Sequence, residues 1–473
     1  MLKNHLADQL RTNLGYDPTR SQEDLIKLLS EFISPGNEME ILLVNGYAGT
    51  GKTTIVSSMV RTLDSFGQKY MLLAPTGRAA KVLSAYTGKS AYTVHKKIYR
   101  QKTAKDGLGV FVLDRNLMPN TLFVVDEASM IANQEQEMKI FGSGRLLDDL
   151  IEYVYSKEGC KLVLLGDTAQ LPPVGLDISP ALDPSVLASY DLTVHQGFLD
   201  EVVRQSLGSG ILINATGLRK GAEKGSRKWP QFSEENFEDV RRINGTELIE
   251  EISDSYDRHG RGGTIIVTRS NKRANQYNEG IRSKILWREE EIEKGDMIMV
   301  VRNNYYWTQD DDDMDFIANG DIAEIQEIKG RQERYGFRFA DVILHFPDNN
   351  DREIDAKIML DTILLESASL GHEENRQLYF NVIADYPEIK SKKKKFEIAR
   401  ENPFYNALQV KFAYAVTCHK AQGGQWENVF VDQGYINEDM INREYYRWLY
   451  TAVTRATKKL FLINFGDRYF EDA

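Results

Sequence analysis

One stretch, GYAGTGKTT from Gly46 to Thr54, limits what this chain can fold into more than any other. It follows the apolar run ILLVN and leads into a segment of helical character, so the pattern G-x-x-x-x-G-K-[ST] stands in the strand, loop and helix setting it requires. Gly46, Gly49 and Gly51 let backbone N–H groups approach phosphate oxygens, with Ala48, Thr50 and Thr54 in the same cradle. Lys52 is placed to reach the terminal phosphates and Thr53 to ligate magnesium. The stretch predicts an α/β fold that binds ATP or GTP at the carboxyl ends of parallel strands.

Runs of β-branched and aliphatic residues fit that fold. Ile41 to Val44, Met71 to Ala74, Leu122 to Val125 and Leu162 to Leu165 read as buried parallel strands with helical stretches between them. A second set, Thr264 to Val267, Lys411 to Val416, Val429 to Val431 and Leu460 to Ile463, predicts another such sheet. A chain of 473 residues is too long for one ordinary core, so two α/β sheets in tandem are expected. From about 296 to 405 the runs MIMVVRN, DIAEIQEI, FRFADVILHF and LYFNVIA are broken and β-like, which predicts a small β domain inserted into the second sheet. The domains then run 1–180, 181–295 with 406–473, and 296–405. The charge runs Asp310 to Asp313 and Lys392 to Lys395 read as solvated loops.

Composition excludes several classes. The opening MLKNHLADQL is too polar for a signal peptide, and no apolar run approaches the ~20 residues a membrane span needs. Two cysteines, Cys160 and Cys418, cannot build a disulfide framework or a structural zinc site. A soluble protein of a reducing cytoplasm is expected. The net charge of −11 argues against a wholly basic surface, yet a cleft can be positive inside an acidic exterior.

Asp126 and Glu127 follow the apolar run of TLFVVDEAS, as magnesium holder and as the base that orients and deprotonates water. A fixed succession of further motifs surrounds this pair: LLAPTGRAAK, TVHKKI, LLGDTAQLPPVG, EVVRQ, AYAVTCHKAQGG and WLYTAVTRATKKLFLI. The series resembles the superfamily 1 helicases, in their RecD-like branch, which includes the Dda-like enzymes. The resemblance runs from about Gln22 to Ile463. It implies two tandem RecA-like P-loop domains with ATP between them, a β-hairpin wedge inserted at about 97–119, and a small β-barrel inserted in the second domain.

By that resemblance Gln22 reads adenine, and Asp167 with Gln170 senses the γ-phosphate. Arg204 and Arg455 reach it from across the cleft as arginine fingers, and Gln422 and Gly423 turn toward the nucleotide. Pro75, Thr76, Arg78, Thr93, His95, Thr268, Asn271, Thr417, His419 and Lys420 occupy strand-contacting positions, where hydroxyls and amides suit phosphates without reading bases. The turn signal Asp106-Gly107 between alternating runs places the wedge near Tyr99 to Leu113. An ATP- and magnesium-dependent DNA helicase is implied, moving 5′ to 3′ as a monomer on single-stranded DNA and forked duplex, with no membrane partner. Two rivals stay open at this point: a single-strand translocase or RNA motor that does not separate long duplexes, and a nucleotide-switched interaction protein. Neither a second motif set nor an opposed pair of arginines is needed by a switch. Cys418 beside His419 has no orienting partner or further ligand, so a buried, inert thiol is expected.

Overall fold

In the computed structural model, which describes residues 2–36, 39–102, 110–134, 142–203, 208–234, 237–309, 314, 316–349 and 351–470, the apolar runs become strands buried on both faces. After α1 (Leu2–Leu14) and α2 (Arg20–Ile33) come β1 (Glu40–Gly46), α3 (Lys52–Ser65), β2 (Lys69–Ala74), α4 (Gly77–Thr87), β3 (Ala91–Thr93) and α5 (Val94–Ile98). A hairpin of β4 (Tyr99–Lys102) and β5 (Val110–Leu113) follows, then β6 (Thr121–Val125), α6 (Leu146–Tyr155), β7 (Lys161–Gly166), α7 (Pro184–Ala188) and β8 (Thr193–Leu199). The first sheet runs β3-β2-β6-β7-β1-β8 with every pair parallel. Alternation along the strands divides its core: Ile41, Leu43, Phe123 and Val125 face α5 and α6, while Leu42, Val44, Leu122 and Val124 face α1 to α3.

The second half contributes α8 (Gly210–Glu223), β9 (Val240–Ile243), α9 (Leu248–His259), β10 (Thr264–Thr268) and α10 (Asn271–Lys284). The chain then leaves for a closed barrel of β11 (Met297–Val300), β12 (Ile322–Arg334), β13 (Phe337–Phe346), β14 (Arg352–Met359) and, after α11 (His372–Ala384) and α12 (Lys392–Glu401), β15 (Leu408–Phe412). It returns through β16 (Ala415–Thr417), α13 (Cys418–Ala421), β17 (Trp426–Asp432), α14 (Arg443–Val453) and β18 (Ala456–Ile463). The second sheet is β16-β10-β17-β18-β9, again all parallel. Two parallel sheets, a hairpin and a barrel are therefore present in the expected order.

Three expectations are corrected. The first domain does not end near 180, because β8 pairs with β1 in register from Glu40↔Thr193 to Gly46↔Leu199. The run from Lys411 to Val416 is two strands: β15 closes the barrel against β11, and only β16 joins the second sheet, so the barrel extends to 412. The insertion also carries helices that its sequence hides, including LYFNVIA within α11 and the lysine run at the start of α12. Their apolar stripe is narrow, Leu378, Val382, Ile383 and Ala399, and it packs on Phe337, Phe339 and Phe404 beside the barrel.

A buried ion cluster anchors the barrel. Asp296, fully buried where the insertion begins, takes a bidentate pair from Arg282 Nε and Nη2 at 3.0 Å each, a further bond from Arg288, and the Tyr414 hydroxyl at 3.0 Å. Arg282 lies on α10 and Tyr414 stands between the barrel's last strand and β16, so one carboxylate ties the insertion's entry to its exit. Removing it leaves buried guanidinium groups unpaired. Asp296→Ala is expected to lower stability by about 3–5 kcal/mol, read by urea denaturation.

Candidate nucleotide cleft and nucleic-acid track

The loop between β1 and α3 is held in the shape its glycines allow. Gly49 and Gly51 have φ of 74° and 85°, and Gly51 caps α3. A side chain at Gly46 would begin 2.6 Å from Lys52 Cγ. Lys52 folds back over this gap, donating to the Gly46 carbonyl and, at 3.2 Å, to that of Tyr47. Ala48, Gly49, Gly51, Lys52, Thr53 and Thr54 line a cleft of about 380 Å³. Gln22 braces the loop from behind: it is fully buried, forms a capping box with Thr19, and donates to the Thr50 carbonyl and the Tyr16 hydroxyl at 3.0 Å each. Both amide hydrogens are spent on the protein here, so reading adenine requires their exchange.

β6 ends at the same cleft. Asp126 accepts from the Glu127 N–H at 2.9 Å and from the Tyr86 hydroxyl at 2.5 Å. Glu127 sits in the left-handed region at φ 54°, a conformation that a non-glycine residue holds at a cost, and it aims its carboxyl into the cleft. Burial raises that carboxyl above its ordinary value, against the opposing charge of Arg455, while Asp126 adds to the rise. A carboxyl so raised is a stronger proton acceptor, which suits a base.

The far wall comes from the second domain. Gly423, Gln425, Thr454, Arg455 and Ala456 line the cleft opposite the loop. Arg455 is buried and held by its own domain, donating to the carbonyls of Thr451 at 3.0 Å and Gly424 at 3.2 Å. Arg204 lies outside the described residues; its neighbour Val203 lines the cleft and donates to the Gly49 carbonyl at 3.0 Å. Tyr450, on α14, reaches furthest. Its hydroxyl accepts from the Ala48 N–H at 2.8 Å and donates to Asp167 Oδ2 at 2.5 Å. The same Asp167 oxygen lies 3.9 Å from Lys52 Nζ. Leu171 is gripped at both ends, its N–H by Thr451 at 2.8 Å and its carbonyl by Gln422 at 2.6 Å. Gln422 thus contacts the first domain's backbone, and Gly423 rather than Gln422 lines the cleft. Gln170, beside that grip, is buried with its Oε1 unbonded among the described residues and lines the cleft, an acceptor waiting for a donor.

The expected track lies at the carboxyl ends of both sheets. Pro75 follows β2, Thr76 caps α4 through the Ala79 N–H at 3.2 Å, and Thr93 caps α5 through the Lys96 N–H at 3.1 Å. Arg78 stacks its guanidinium 3.8 Å over Trp426 of the second domain. His95 is half-buried with its ring 5.7 Å from Tyr99. Thr268 departs from expectation: it is fully buried, donating to the Ser270 carbonyl at 3.0 Å, and offers no surface to a strand. Asn271 spends its amide on the Glu366 carbonyl at 2.9 Å. Thr417 is half-buried at the start of α13, His419 is exposed, and Lys420 donates to Asn319 at 3.4 Å. Burial and the neighbouring Lys411 push the Lys420 ammonium down to about 8. Cys418 is buried on α13 rather than on a strand, and burial pushes its thiol up to about 12, so it is no nucleophile.

The hairpin pairs Tyr99 with Leu113 and Lys102 with Val110. Its tip, with Asp106 and Gly107, lies outside the described residues, as does the aspartate run from 310 to 313. Phe111 packs 4.3 Å from the Tyr305 ring of the barrel domain, which in turn contacts Phe316 at 5.0 Å. Trp307 donates to the Asn406 carbonyl at 2.9 Å, a structural placement. Tyr86 and Tyr16 line the cleft, and Tyr450 is buried behind it on Ala48 and Asp167; motif reading singles out none of the three as a site residue. Only Tyr450 stands inside a motif, five residues before Arg455.

Two parallel sheets facing one phosphate-loop cleft, with an acidic pair on one wall and an arginine on the other, define a two-domain nucleotide-hydrolysing motor. A family model described as an AAA domain matches residues 26–231, and one described as a UvrD-like helicase C-terminal domain matches residues 412–463. The chain is 32% identical over 184 residues to the ATP-dependent RecD2 DNA helicase of Deinococcus radiodurans, covering 38% of this chain and 22% of that protein. It is 24% identical over 298 residues to the ATP-dependent DNA helicase dda of Enterobacteria phage T4, covering 60% of this chain and 61% of that protein. A solved Pif1 helicase from Bacteroides, in complex with ADP-AlF3 and single-stranded DNA, aligns over 96% of this chain and 94% of its own at 14% identity and a TM-score of 0.48. The two family models and the RecD2 and dda relatives support a resemblance to superfamily 1 helicases of the RecD/Dda type.

Lys52→Ala and Glu127→Gln are each expected to lower ATP turnover by about 100-fold or more, with strand binding retained. Steady-state hydrolysis alongside oligonucleotide anisotropy checks both. In the wild type, turnover should fall as pH drops through the raised Glu127 value, since protonation removes the acceptor.

Proposed function

We propose that this chain is an ATP-dependent DNA helicase that steps 5′ to 3′ along single-stranded DNA and separates duplex ahead of it, as a monomer. The observation that carries the reading is the shared cleft: Lys52, Asp126, Glu127 and Gln170 on one wall, Gly423 and Arg455 on the other. A site that only the two domains together complete links hydrolysis to their relative motion.

The residues fit ATP with magnesium. The glycine cradle suits phosphate, the unbonded Gln170 Oε1 suits a donor such as the attacking water, and Thr53 with Asp126 gives the two hard oxygen donors that magnesium takes beside phosphates and waters. When bound, magnesium neutralises charge on the transferred phosphoryl group. Lys52 exchanges its loop carbonyls for phosphate oxygens, and Glu127 takes the proton of the attacking water. Arg455 stabilises charge from across the cleft, a role worth roughly 10³ to 10⁵ in rate. With Tyr450 on Asp167, and Gln422 and Thr451 on Leu171, rearrangement at the phosphates is felt in the second domain.

The barrel-braced hairpin supports a wedge at the fork, and the direction of travel follows the resemblance to the RecD-like branch. Duplexes with a single-stranded 5′ tail or 3′ tail provide the test. Opening of the 5′-tailed substrate alone is expected. Opening of the 3′-tailed one alone would reverse the direction, and DNA-stimulated hydrolysis without opening of either would make the chain a translocase.

A further inference from the structure

The seam between the first domain and the barrel is closed by acids. Lys81, one turn into α4, gives its ammonium to Asp348 Oδ1 at 2.7 Å and to the Pro347 carbonyl at 2.9 Å, both on the barrel. Asp321, just ahead of β12, presses on the first turn of the same helix: a side chain at Gly77 would begin 2.8 Å from its Oδ1. Its other oxygen accepts from the Ala318 N–H at 2.8 Å and from Asn349 at 3.3 Å.

These contacts cross a groove of about 920 Å³. Its first-domain wall carries Lys81, Ser84, Ser90 and Thr93, and its barrel wall carries Asp321, Asp348 and Asp351 with a single cation, Arg352. The first wall, continuous with Thr76 at the start of α4, has the ammonium and hydroxyl groups that hold a phosphodiester backbone without reading bases. The second wall has three acidic residues to one arginine, a balance that would repel one.

Asp321 is the telling residue. It is 5% exposed, and no cation pairs with it among the described residues. Burial pushes its carboxyl up to about 7, and the charge of Asp348 works in the same direction. A buried carboxylate without a cation is a poor way to stabilise a domain seam. It is the arrangement expected of one anion standing where another anion binds, against the partially positive start of a helix.

We propose that Lys81 and the first turn of α4 form a phosphodiester-binding site on the nucleic-acid track, and that Asp348 and Asp321 of the barrel occupy it as an acidic latch until a strand displaces them. The proposal rests on the nucleic-acid reading above. Lys81 exchanges one oxyanion for another, so opening the latch costs little once a strand is present, while the empty protein stays shut. The barrel then serves as a guard of the track as well as a brace for the hairpin.

The test uses the full chain and a fluorescein-labelled oligo-dT, with affinity read by anisotropy across a salt series. Asp348→Asn keeps the shape and removes the charge, and should tighten binding about two- to fivefold, the factor an exposed ion pair commands. Asp321→Asn should act in the same direction. Lys81→Ala should weaken binding and reduce the salt slope by about one. In the Lys81→Ala background Asp348→Asn should no longer tighten binding. Unchanged or weaker binding by both Asp348→Asn and Asp321→Asn, in a chain whose wild type binds the oligonucleotide, overturns the latch alone. A wild type that does not bind at all overturns the nucleic-acid reading on which it rests.

Discussion

One hydroxyl holds the two halves of this molecule in register. Tyr450 projects from the second domain and satisfies, with a single oxygen, a backbone donor of the phosphate loop and a buried carboxylate of the first domain. Buried polar groups carry a high penalty when left without partners, so this bridge fixes where α14 can sit. Arg455 lies just beyond the end of that helix, and its place opposite Glu127 follows from the same constraint. The grip of Thr451 and Gln422 on the two ends of Leu171 repeats the arrangement one loop away. Nucleotide chemistry and domain position therefore share atoms, which is the physical requirement for a motor.

The barrel is tied to this core at three places. Asp296 and its guanidinium partners fasten its entry and exit to the second domain, while Lys81 and Gly77 meet its carboxylates across the track. Phe111 against Tyr305 adds an aromatic contact with the hairpin. The first attachment is buried and the other two are partly exposed, so a strand entering the groove would loosen the seam before it disturbed the fold.

Much of this was legible in the sequence. The phosphate loop, the acidic pair and the hairpin carry local signals, glycines, strand-end carboxylates and a turn dipeptide, whose meaning depends on a few neighbours. What was hidden depends on distant partners. TVHQGFL at β8 has only a weak apolar pattern, two of its seven residues being buried, and it joins the first sheet through β1 rather than through its own composition. The continuous apolar run across Lys411 to Val416 masks a change of sheet, because both resulting strands are buried. Thr268 reads like any strand-end hydroxyl until β16 and β17 flank β10 and cover it. Tyr450 and Tyr86 look like core aromatics, and only the fold brings their hydroxyls to Asp167 and Asp126.

The central claim is that hydrolysis in the cleft and grip on a strand are one coupled process. The rate of ATP hydrolysis, followed as single-stranded DNA is titrated onto the full chain, tests it most directly. The account predicts a low rate without DNA that rises at least about tenfold and saturates, since strand binding completes a cleft that two domains must share. A rate that is the same with and without DNA would contradict it.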